Sequence, residues 1–252
     1  MATFLLKKSY RLDNLLEVKF NDLWDSKGVF TTMRLVGKPP KIILFRDHIK
    51  NLIKSTKRYK IKEKNLKNII IKFLNKILSN SLKYDHLLRL AINKNLISIS
   101  IRKRLIPQKN FKLKIMEYKR FDPKYKNLYY KKIIKVLNTL DTKKFDIALT
   151  YKNKLLETGT SNIIFVKKNV FYSPKNNCYI GNTIKFLKRK IKINFQDISL
   201  KRINSFDEIL LIGSGKAVTS VSSIEKLNWY RKSLSGYNKV NKIHNGLLNK
   251  YI

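Results

Sequence analysis

Apolar residues recur along this chain with two different periods. In residues 97–101 three isoleucines alternate with two serines, which predicts a half-buried β-strand. In residues 63–78 apolar side chains recur at spacings of three and four, which predicts an amphipathic helix. Both patterns occur in the first half of the chain, so this half combines strands with helices.

The first half contains five predicted strands and two predicted helices. The strands cover residues 28–35, 41–45, 87–92, 97–101 and 111–118, and the helices cover residues 47–58 and 63–78. Strands that pack against a pair of helices form a two-layer α/β sandwich. We therefore predict an N-terminal domain of this architecture at residues 1–119.

The second half is richer in strands. Its predicted strands cover residues 145–150, 154–157, 162–166, 170–173 and 208–212, and its predicted helices begin just after Lys126 and near Thr183. Residues 120–124 contain a proline and three charged residues and form a predicted linker. The predicted fold class is α+β, with a β-rich second domain at residues 120–252.

The composition is strongly basic, with a formal net charge of +40. This charge is typical of nucleic-acid binders, but the 45 lysines occur with 31 isoleucines and 25 asparagines, three residues with A/T-rich codons. Arginine, which makes bidentate contacts to bases and phosphates, numbers only 11. We therefore attribute the charge to an AT-rich genome rather than to nucleic-acid binding, and expect it to attract small anionic ligands.

The single cysteine, Cys178, excludes an intramolecular disulfide and a cysteine-based metal site, and we expect no metal. No apolar run approaches the length of a membrane span. The first residues also lack the apolar stretch of a secretory signal. These features predict a cytoplasmic protein without a membrane partner.

The most informative segment is residues 155–164, where Glu157 ends a short strand and Asn162 opens an apolar one. By itself this segment predicts only a β-hairpin with a buried acid. Lys126 lies upstream of it, and two small-residue turns lie downstream. Pyridoxal phosphate needs a lysine amine, a carboxylate at its pyridine nitrogen, a phosphate cradle and a group at its ring hydroxyl. The order of these residues suits such a site.

Six segments resemble, in this order, those of the class IV aminotransferases, the family of branched-chain aminotransferase, D-amino-acid aminotransferase and 4-amino-4-deoxychorismate lyase. They are FTTMR at 30–34, HIKNL at 48–52, KNLYY at 126–130, ETGTSNIIF at 157–165, IGNT at 180–183 and DEILLIGS at 207–214. The resemblance implies the fold of pyridoxal-phosphate enzymes of type IV, with an N-terminal α/β sandwich and a C-terminal β-rich pseudo-barrel. It also implies that two copies of the chain form a homodimer.

The resemblance assigns roles to three residues around the cofactor ring. Lys126 would link to the cofactor and act as the catalytic base, Glu157 would meet the pyridine nitrogen, and Tyr130 would approach the ring hydroxyl. Each residue also has an ordinary interpretation, because Lys126 is one of 45 lysines, Tyr130 suits a core and Glu157 suits a hairpin.

The resemblance also assigns a phosphate site, and this chain departs from the family pattern there, where Asn51 replaces one arginine and Ile184 replaces the arginine after the G-I-T turn. Asn182, Thr183 and Ser214 would hold the phosphate, partly through backbone amides at a helix start. The family has an arginine in an H-x-x-R-L segment, where this chain has Asn51. Lys50 is adjacent and Lys54 lies nearly one helical turn further, and either would supply a point charge without the bidentate geometry of arginine.

Arg34 and Arg89 lie within apolar predicted strands, where an unpaired guanidinium is costly. A salt bridge and a substrate carboxylate both explain such arginines, and the sequence leaves the two open. His48 is expected to be a structural residue at a helix start.

Residues 30–34 are closer to the F-T-T-x-R pattern of the lyase than to the F-E-G-x-R pattern of branched-chain aminotransferases. The resemblance therefore favours conversion of 4-amino-4-deoxychorismate to 4-aminobenzoate and pyruvate, a step of folate synthesis. Two alternatives remain open. One is transamination of branched-chain or D-amino acids, and the other is a basic binding protein that kept the fold and lost the chemistry.

Overall fold

The computed structural model describes residues 3–62 and 65–252 and divides them into two compact units. Unit 1 comprises the described residues up to Arg104 together with Tyr125–Lys131 and Leu248–Ile252, and unit 2 comprises Leu105–Lys124 and Lys132–Leu247. This division differs from the predicted boundary at residue 120, and it assigns Lys126 to unit 1. The reason is local hydrogen bonding, because Phe30 N–H donates to the Lys126 carbonyl at 2.9 Å and Leu128 N–H to the Gly28 carbonyl at 3.0 Å.

Within its described residues, unit 1 contains six strands and two helices. They are β1 (Phe4–Arg11), β2 (Glu17–Val18), β3 (Gly28–Gly37), β4 (Lys41–Ile42), α1 (Phe45–Arg58), α2 (Leu66–Ile77), β5 (Tyr84–Asn93) and β6 (Leu96–Lys103). The strands form one sheet in the order β2-β1-β6-β5-β3-β4. The sheet and the two helices form the predicted two-layer α/β sandwich.

Strand alternation separates the two faces of this sheet. One face and the helices form an apolar core that includes Met33 and Leu90 from strands and Leu52 and Ile70 from helices. The opposite face carries Phe30 and Arg89, because Phe30 pairs with Ala91 and Thr32 pairs with Arg89 across β3 and β5. Phe30, Thr32 and Arg89 therefore lie on the side away from the helices, whereas Thr31 lies on the helix side.

Two predictions for unit 1 need correction, and part of a third cannot be compared. The predicted strand at 41–45 is wrong beyond Ile42, because Leu44 adopts a left-handed conformation (φ 53°) and α1 begins at Phe45. Strand β1, which pairs with the predicted strand β6, was not itself predicted. The predicted helix at 63–78 is observed as α2, and its positions 63 and 64 lie outside the described residues.

Within its described residues, unit 2 contains eleven strands and three α-helices. They are β7 (Lys112–Glu117), α3 (Lys131–Asn138, the first residue of which belongs to unit 1), β8 (Phe145–Tyr151), β9 (Lys154–Thr158), β10 (Asn162–Lys167), β11 (Val170–Pro174), α4 (Asn182–Lys188), β12 (Ile193–Gln196), β13 (Ile198–Ser199), β14 (Glu208–Gly213), β15 (Ala217–Ser220), β16 (Ser223–Ile224), β17 (Trp229–Tyr230) and α5 (Ser235–Leu248). Two sheets have the orders β12-β11-β10-β14-β15 and β13-β9-β8-β7-β16-β17.

Strand β10 explains how the layers of unit 2 meet. Ile163 and Phe165 belong to the core shared with the second sheet, whereas Ile164 and Val166 belong to the core shared with α4 and α5. A strand that is buried on both faces is a continuous apolar run, as residues 163–166 are. The β-rich character predicted for the second half is confirmed. No helix among residues 3–62 and 65–252 is long and apolar enough to cross a membrane.

The α5 helix, which the sequence pattern did not predict, begins at a buried carboxylate. Glu208 is fully buried and accepts hydrogen bonds from the N–H groups of Gly236 (2.8 Å) and Tyr237 (2.7 Å). A carboxylate is stabilised at a helix N-terminus by these unpaired amides. Glu208 therefore joins β14 to α5, and its burial has a structural cause.

A buried hydrogen bond joins β3 to α1 in unit 1. The Thr31 hydroxyl lies 2.7 Å from His48 Nδ1, and both residues are buried. Burial, with a smaller contribution from the Lys126 ammonium, lowers the pKa of His48 to about 3. His48 is therefore neutral at physiological pH, and it occupies the start of α1 as expected.

The lowered pKa of His48 predicts a pH-dependent loss of stability. An unfolded histidine has a pKa of about 6.5, so between about pH 6.5 and 3 the unfolded chain binds a proton that folded His48 does not. Stability therefore falls as the pH falls through this window, by about 2–3 kcal/mol from this residue between pH 7 and 4.5. Urea unfolding of the wild type and of His48→Gln at both pH values measures the difference. Equal losses in the two proteins would contradict the assignment.

Candidate active site

The Lys126 side chain lies beside Phe30, near the start of β3, and interacts electrostatically with His48 in the first turn of α1. Its Nζ is 4.9 Å from the centroid of the Phe30 ring, and its charge contributes to the lowered pKa of His48. Strand β3 fixes the backbone next to Lys126, because Val29 and Asn127 form an isolated β-bridge. Since His48 is neutral, it does not add a second cation next to Lys126.

Three aromatic rings, those of Trp24, Phe30 and Tyr130, form a cluster near Lys126. Trp24 and Phe30 make an edge contact with centroids 5.0 Å apart, and Tyr130 lies 5.5 Å from Phe30 and 5.9 Å from Trp24. Arg89 extends into this cluster, with its guanidinium carbon 3.6 Å from the Trp24 centroid and 5.5 Å from that of Phe30. Lys126, Tyr130 and Arg89, which were predicted separately, therefore lie around one ring.

The structure distinguishes the two predicted arginines. Arg34 Nε lies 3.2 Å from Asp85 Oδ1, and Arg104 Nε lies 3.0 Å from the same atom, so a salt bridge explains why Arg34 is in the sheet. Arg89 Nη2 donates to the Asp22 carbonyl at 2.7 Å, whereas its buried Nε has no hydrogen-bond partner among the described residues. Burial lowers the pKa of Arg89 to about 10, so it remains a cation at neutral pH.

The two residues predicted to replace the phosphate arginine lie on α1. Asn51 is half-buried and three residues after His48, so both lie on one face of the helix. Lys54 is exposed on the same helix. Asn51 therefore shares a face of α1 with the buried His48, whereas Lys54 faces solvent.

Glu157 in unit 2 is held by a buried arginine. Arg120 Nε donates to Glu157 Oε1 at 2.7 Å, with side chains 1% and 7% exposed, and Tyr179 N–H donates to Glu157 Oε2 at 3.3 Å. Arg120 also donates to the Pro123 carbonyl at 3.0 Å. The predicted linker at 120–124 is therefore wrong at its first residue, which is anchored in unit 2. The sequence signal for this anchored position was the arginine itself, because the chain uses lysine at most of its basic positions.

The turn after Glu157 is organised by a second buried acid. Asp146 is fully buried and accepts hydrogen bonds from the hydroxyls of Thr158 (2.9 Å) and Thr160 (2.5 Å) and from the Ile147 N–H (2.8 Å). Burial raises the pKa of Asp146. The Thr158 hydroxyl also accepts the Ser161 N–H at 2.8 Å, so the turn has a fixed shape.

The same turn meets the two downstream small-residue segments within unit 2. Asn162 Oδ1 accepts the Gly181 N–H at 2.9 Å, and Asn162 Nδ2 donates to the Tyr179 carbonyl. A Cβ at Gly181 would lie 2.8 Å from Asn162 Oδ1, and a Cβ at Gly213 would lie 3.3 Å from Ser161 Oγ. At position 181 a side chain would therefore displace Asn162, whereas at position 213 it would make a tight contact with Ser161.

The remaining predicted residues of unit 2 follow these two glycines. Asn182 and Thr183 are buried in the first turn of α4, and Ser214 is half-buried just after β14. The pairing of Asn162 with Ile212 across β10 and β14 brings residues 213–214 to the end of the sheet where the turn lies. Three segments that are distant in sequence therefore converge within unit 2.

A family model described as amino-transferase class IV matches residues 28–224. Among solved structures, the branched-chain aminotransferase from Thermoproteus uzoniensis has a TM-score of 0.77 and 15% identity, covering 99% of this chain and 96% of that one. A putative 4-amino-4-deoxychorismate lyase from Legionella pneumophila has a TM-score of 0.72 and 17% identity, covering 93% and 97%. The pyridoxal-phosphate-bound form of a hypothetical aminotransferase from Mycobacterium tuberculosis has a TM-score of 0.74 and 13% identity, covering 98% and 100%.

The sequence matches no curated protein. The solved structures share the fold at low identity, and they include both transaminases and a lyase. The family model covers most of the chain, including the segments that contain Phe30, Lys126, Glu157 and Gly213. The chain therefore belongs to the class IV aminotransferases, a family of enzymes that use pyridoxal phosphate.

Proposed function

We propose that this protein is a pyridoxal-phosphate-dependent lyase that converts 4-amino-4-deoxychorismate to 4-aminobenzoate and pyruvate. The observation that carries the proposal is that the Lys126 ammonium and the Arg89 guanidinium lie over the same Phe30 ring, at 4.9 and 5.5 Å from its centroid. An amine next to a carboxylate receptor suits a substrate that contains both an amino and a carboxylate group.

The residues of the chain fit pyridoxal phosphate. Glu157 is a buried carboxylate held by Arg120, which is the chemistry that a protonated pyridine nitrogen requires. Gly181 lets the start of α4 lie against the turn that follows Glu157, because a Cβ there would come within 2.8 Å of Asn162 Oδ1. The buried Arg89 Nε, which lacks a partner among the described residues, suits an acidic substrate.

When bound, pyridoxal phosphate supplies an electron sink for the carbanion that forms when a proton leaves the amine-bearing carbon. Lys126 would remove that proton and later protonate the leaving pyruvate fragment. Neutral His48 adds no second cation beside the lysine amine, and the Phe30 ring lies 4.9 Å from it. Arg89 would bind a substrate carboxylate through its guanidinium group, which remains a cation at neutral pH.

Residues 30–34 favour the lyase over transamination. Transamination would use the same active-site residues and add a second half-reaction. In the lyase-like pattern, position 31 is a threonine, and its hydroxyl lies 2.7 Å from His48 Nδ1. An acid at position 31, as in the branched-chain pattern, would place a buried carboxylate against this histidine. Transamination of branched-chain or D-amino acids is the second candidate function.

The first test concerns the link between the cofactor and Lys126. The wild type mixed with pyridoxal phosphate is expected to develop a visible absorption band, and borohydride is expected to fix the cofactor to the peptide that contains Lys126. Lys126→Ala should lose the band, whereas Lys131→Ala, which removes an exposed lysine five residues away, should retain it. Labelling spread over surface lysines in all three proteins would contradict the proposal.

The second test concerns the reaction and the role of Arg89. The loaded wild type is expected to release 4-aminobenzoate and pyruvate from 4-amino-4-deoxychorismate, and Arg89→Met should raise KM by about 10- to 100-fold, as expected for loss of a charge-assisted hydrogen bond. Arg34→Met is the matched control and should affect stability more than KM, because Arg34 pairs with Asp85. Amino transfer to a 2-oxo acid without release of 4-aminobenzoate would support the transaminase instead.

A further inference from the structure

Unit 2 contains a cavity that the proposed reaction does not use. Its volume is about 510 Å³, within the range of small-molecule sites, and it lies around the β8–β9 hairpin and the segment after β11. Leu156 and Cys178 contribute to its wall, and the residue after Cys178, Tyr179, donates its N–H to Glu157 Oε2 at 3.3 Å. The cavity therefore borders the residues that hold Glu157, whereas Glu157 itself does not line it.

The walls of this cavity are more basic than the chain as a whole. Four of its ten lining residues are lysines, Lys124, Lys152, Lys154 and Lys175, compared with 45 lysines among 252 residues. The lining has one acid, Asp197, which is already bound to Lys154 Nζ at 2.6 Å and to Asn176 Nδ2 at 3.0 Å. Lys175 also interacts electrostatically with Asp197, so Lys124 and Lys152 are the two lining lysines without a carboxylate partner among the described residues.

Regular structure fixes the backbone at Lys152 and Lys175, whose side chains are exposed. Lys152 and Asn153 have φ of 48° and 57° and form the two-residue turn between β8 and β9, where Tyr151 pairs with Lys154. Lys175 follows β11, and its backbone N–H donates to the Gln196 carbonyl at 3.2 Å. The Tyr151 ring lies beneath two ammonium groups, those of Lys119 at 4.9 Å and Lys152 at 5.6 Å.

We propose that this cavity is a second ligand site that binds a polyphosphate anion. Lysine ammonium groups are compact point charges that bind phosphate oxygens from any direction. Arginine, whose planar fork matches a carboxylate, is absent from the lining. Several phosphates in one ligand match several lysines around one concave wall. Inorganic polyphosphate and the polyphosphate group of a nucleotide share this chemistry.

The buried thiol in the wall does not add a reactive group to the site. Cys178 Sγ donates to the Pro174 carbonyl at 3.4 Å, and burial raises the pKa of this thiol to about 12. The thiol is therefore protonated at neutral pH and is inert as a nucleophile. The site is expected to bind its ligand without covalent chemistry.

Isothermal titration with sodium tripolyphosphate and with ATP, at one fixed ionic strength, tests the proposal. The wild type is expected to bind one tripolyphosphate per chain, and Lys124→Gln/Lys175→Gln should weaken this binding at least tenfold. The control Lys67→Gln/Lys72→Gln removes the same charge from the exposed face of α2 and should change the affinity less than twofold. Equal affinities for both ligands support recognition of the phosphates alone, whereas tighter binding of ATP supports recognition of a nucleotide.

Two further measurements separate this site from the proposed active site and from misfolding. Lys126→Ala, and wild type saturated with pyridoxal phosphate, should bind tripolyphosphate as the untreated wild type does. Lys124→Arg/Lys175→Arg should retain binding, and circular dichroism checks that the glutamine variant is folded. An equal loss of affinity in the α2 control, or binding of several anions per chain with similar affinity, would overturn the proposal.

Discussion

The buried ion pair between Arg120 and Glu157 is the interaction on which the candidate site depends most. Both side chains are almost inaccessible to solvent, and the guanidinium and carboxylate are 2.7 Å apart. Removal of one partner from such a pair typically costs about 3–5 kcal/mol, because the other charge remains buried. The pair therefore requires that the segment before Lys126 and the strand β9 fold together, although the segment was expected to be a linker.

The surrounding polar groups extend this constraint. Glu157 precedes a turn that is fixed by the hydroxyls of Thr158 and Thr160 on Asp146, and Asn162 closes the turn against Gly181. Each of these buried groups is satisfied by hydrogen bonds, so the network can hold one geometry at low cost. The arrangement places a fixed carboxylate beside two glycine turns, which suits a charged, flat cofactor with a phosphate.

Much of this could be predicted because the relevant patterns are local. Residues 63–78 and 162–166 have strong periodicity or continuous burial, and the corresponding α2 and β10 are present in the structure. Strand β1 and helix α5 escaped prediction because their stability depends on partners distant in sequence, β6 for the first and Glu208 for the second. Leu44 ended a predicted strand through a backbone conformation that no residue pattern indicates.

The site residues illustrate the same limit. The order of Lys126, Glu157, Gly181 and Gly213 follows from sequence, but the ion pair with Arg120 and the contrast between Arg34 and Arg89 depend on which acid lies nearby. Those are tertiary facts, because a buried arginine has the same sequence pattern whether its partner is an aspartate or a ligand. The proposed role of Arg89 in substrate binding depends on this difference between Arg34, which pairs with an aspartate, and Arg89, which forms no salt bridge among the described residues.

The most direct test of the account is the protonation state of the pyridine nitrogen of bound pyridoxal phosphate, measured by ¹⁵N NMR with the cofactor labelled at that atom. The account predicts a protonated nitrogen in the wild type and in the surface control Glu225→Gln, and loss of that proton in Glu157→Gln. Absorbance and thermal unfolding would establish that each variant is loaded and folded. An unprotonated nitrogen in the wild type, or a nitrogen that stays protonated in Glu157→Gln, would contradict it.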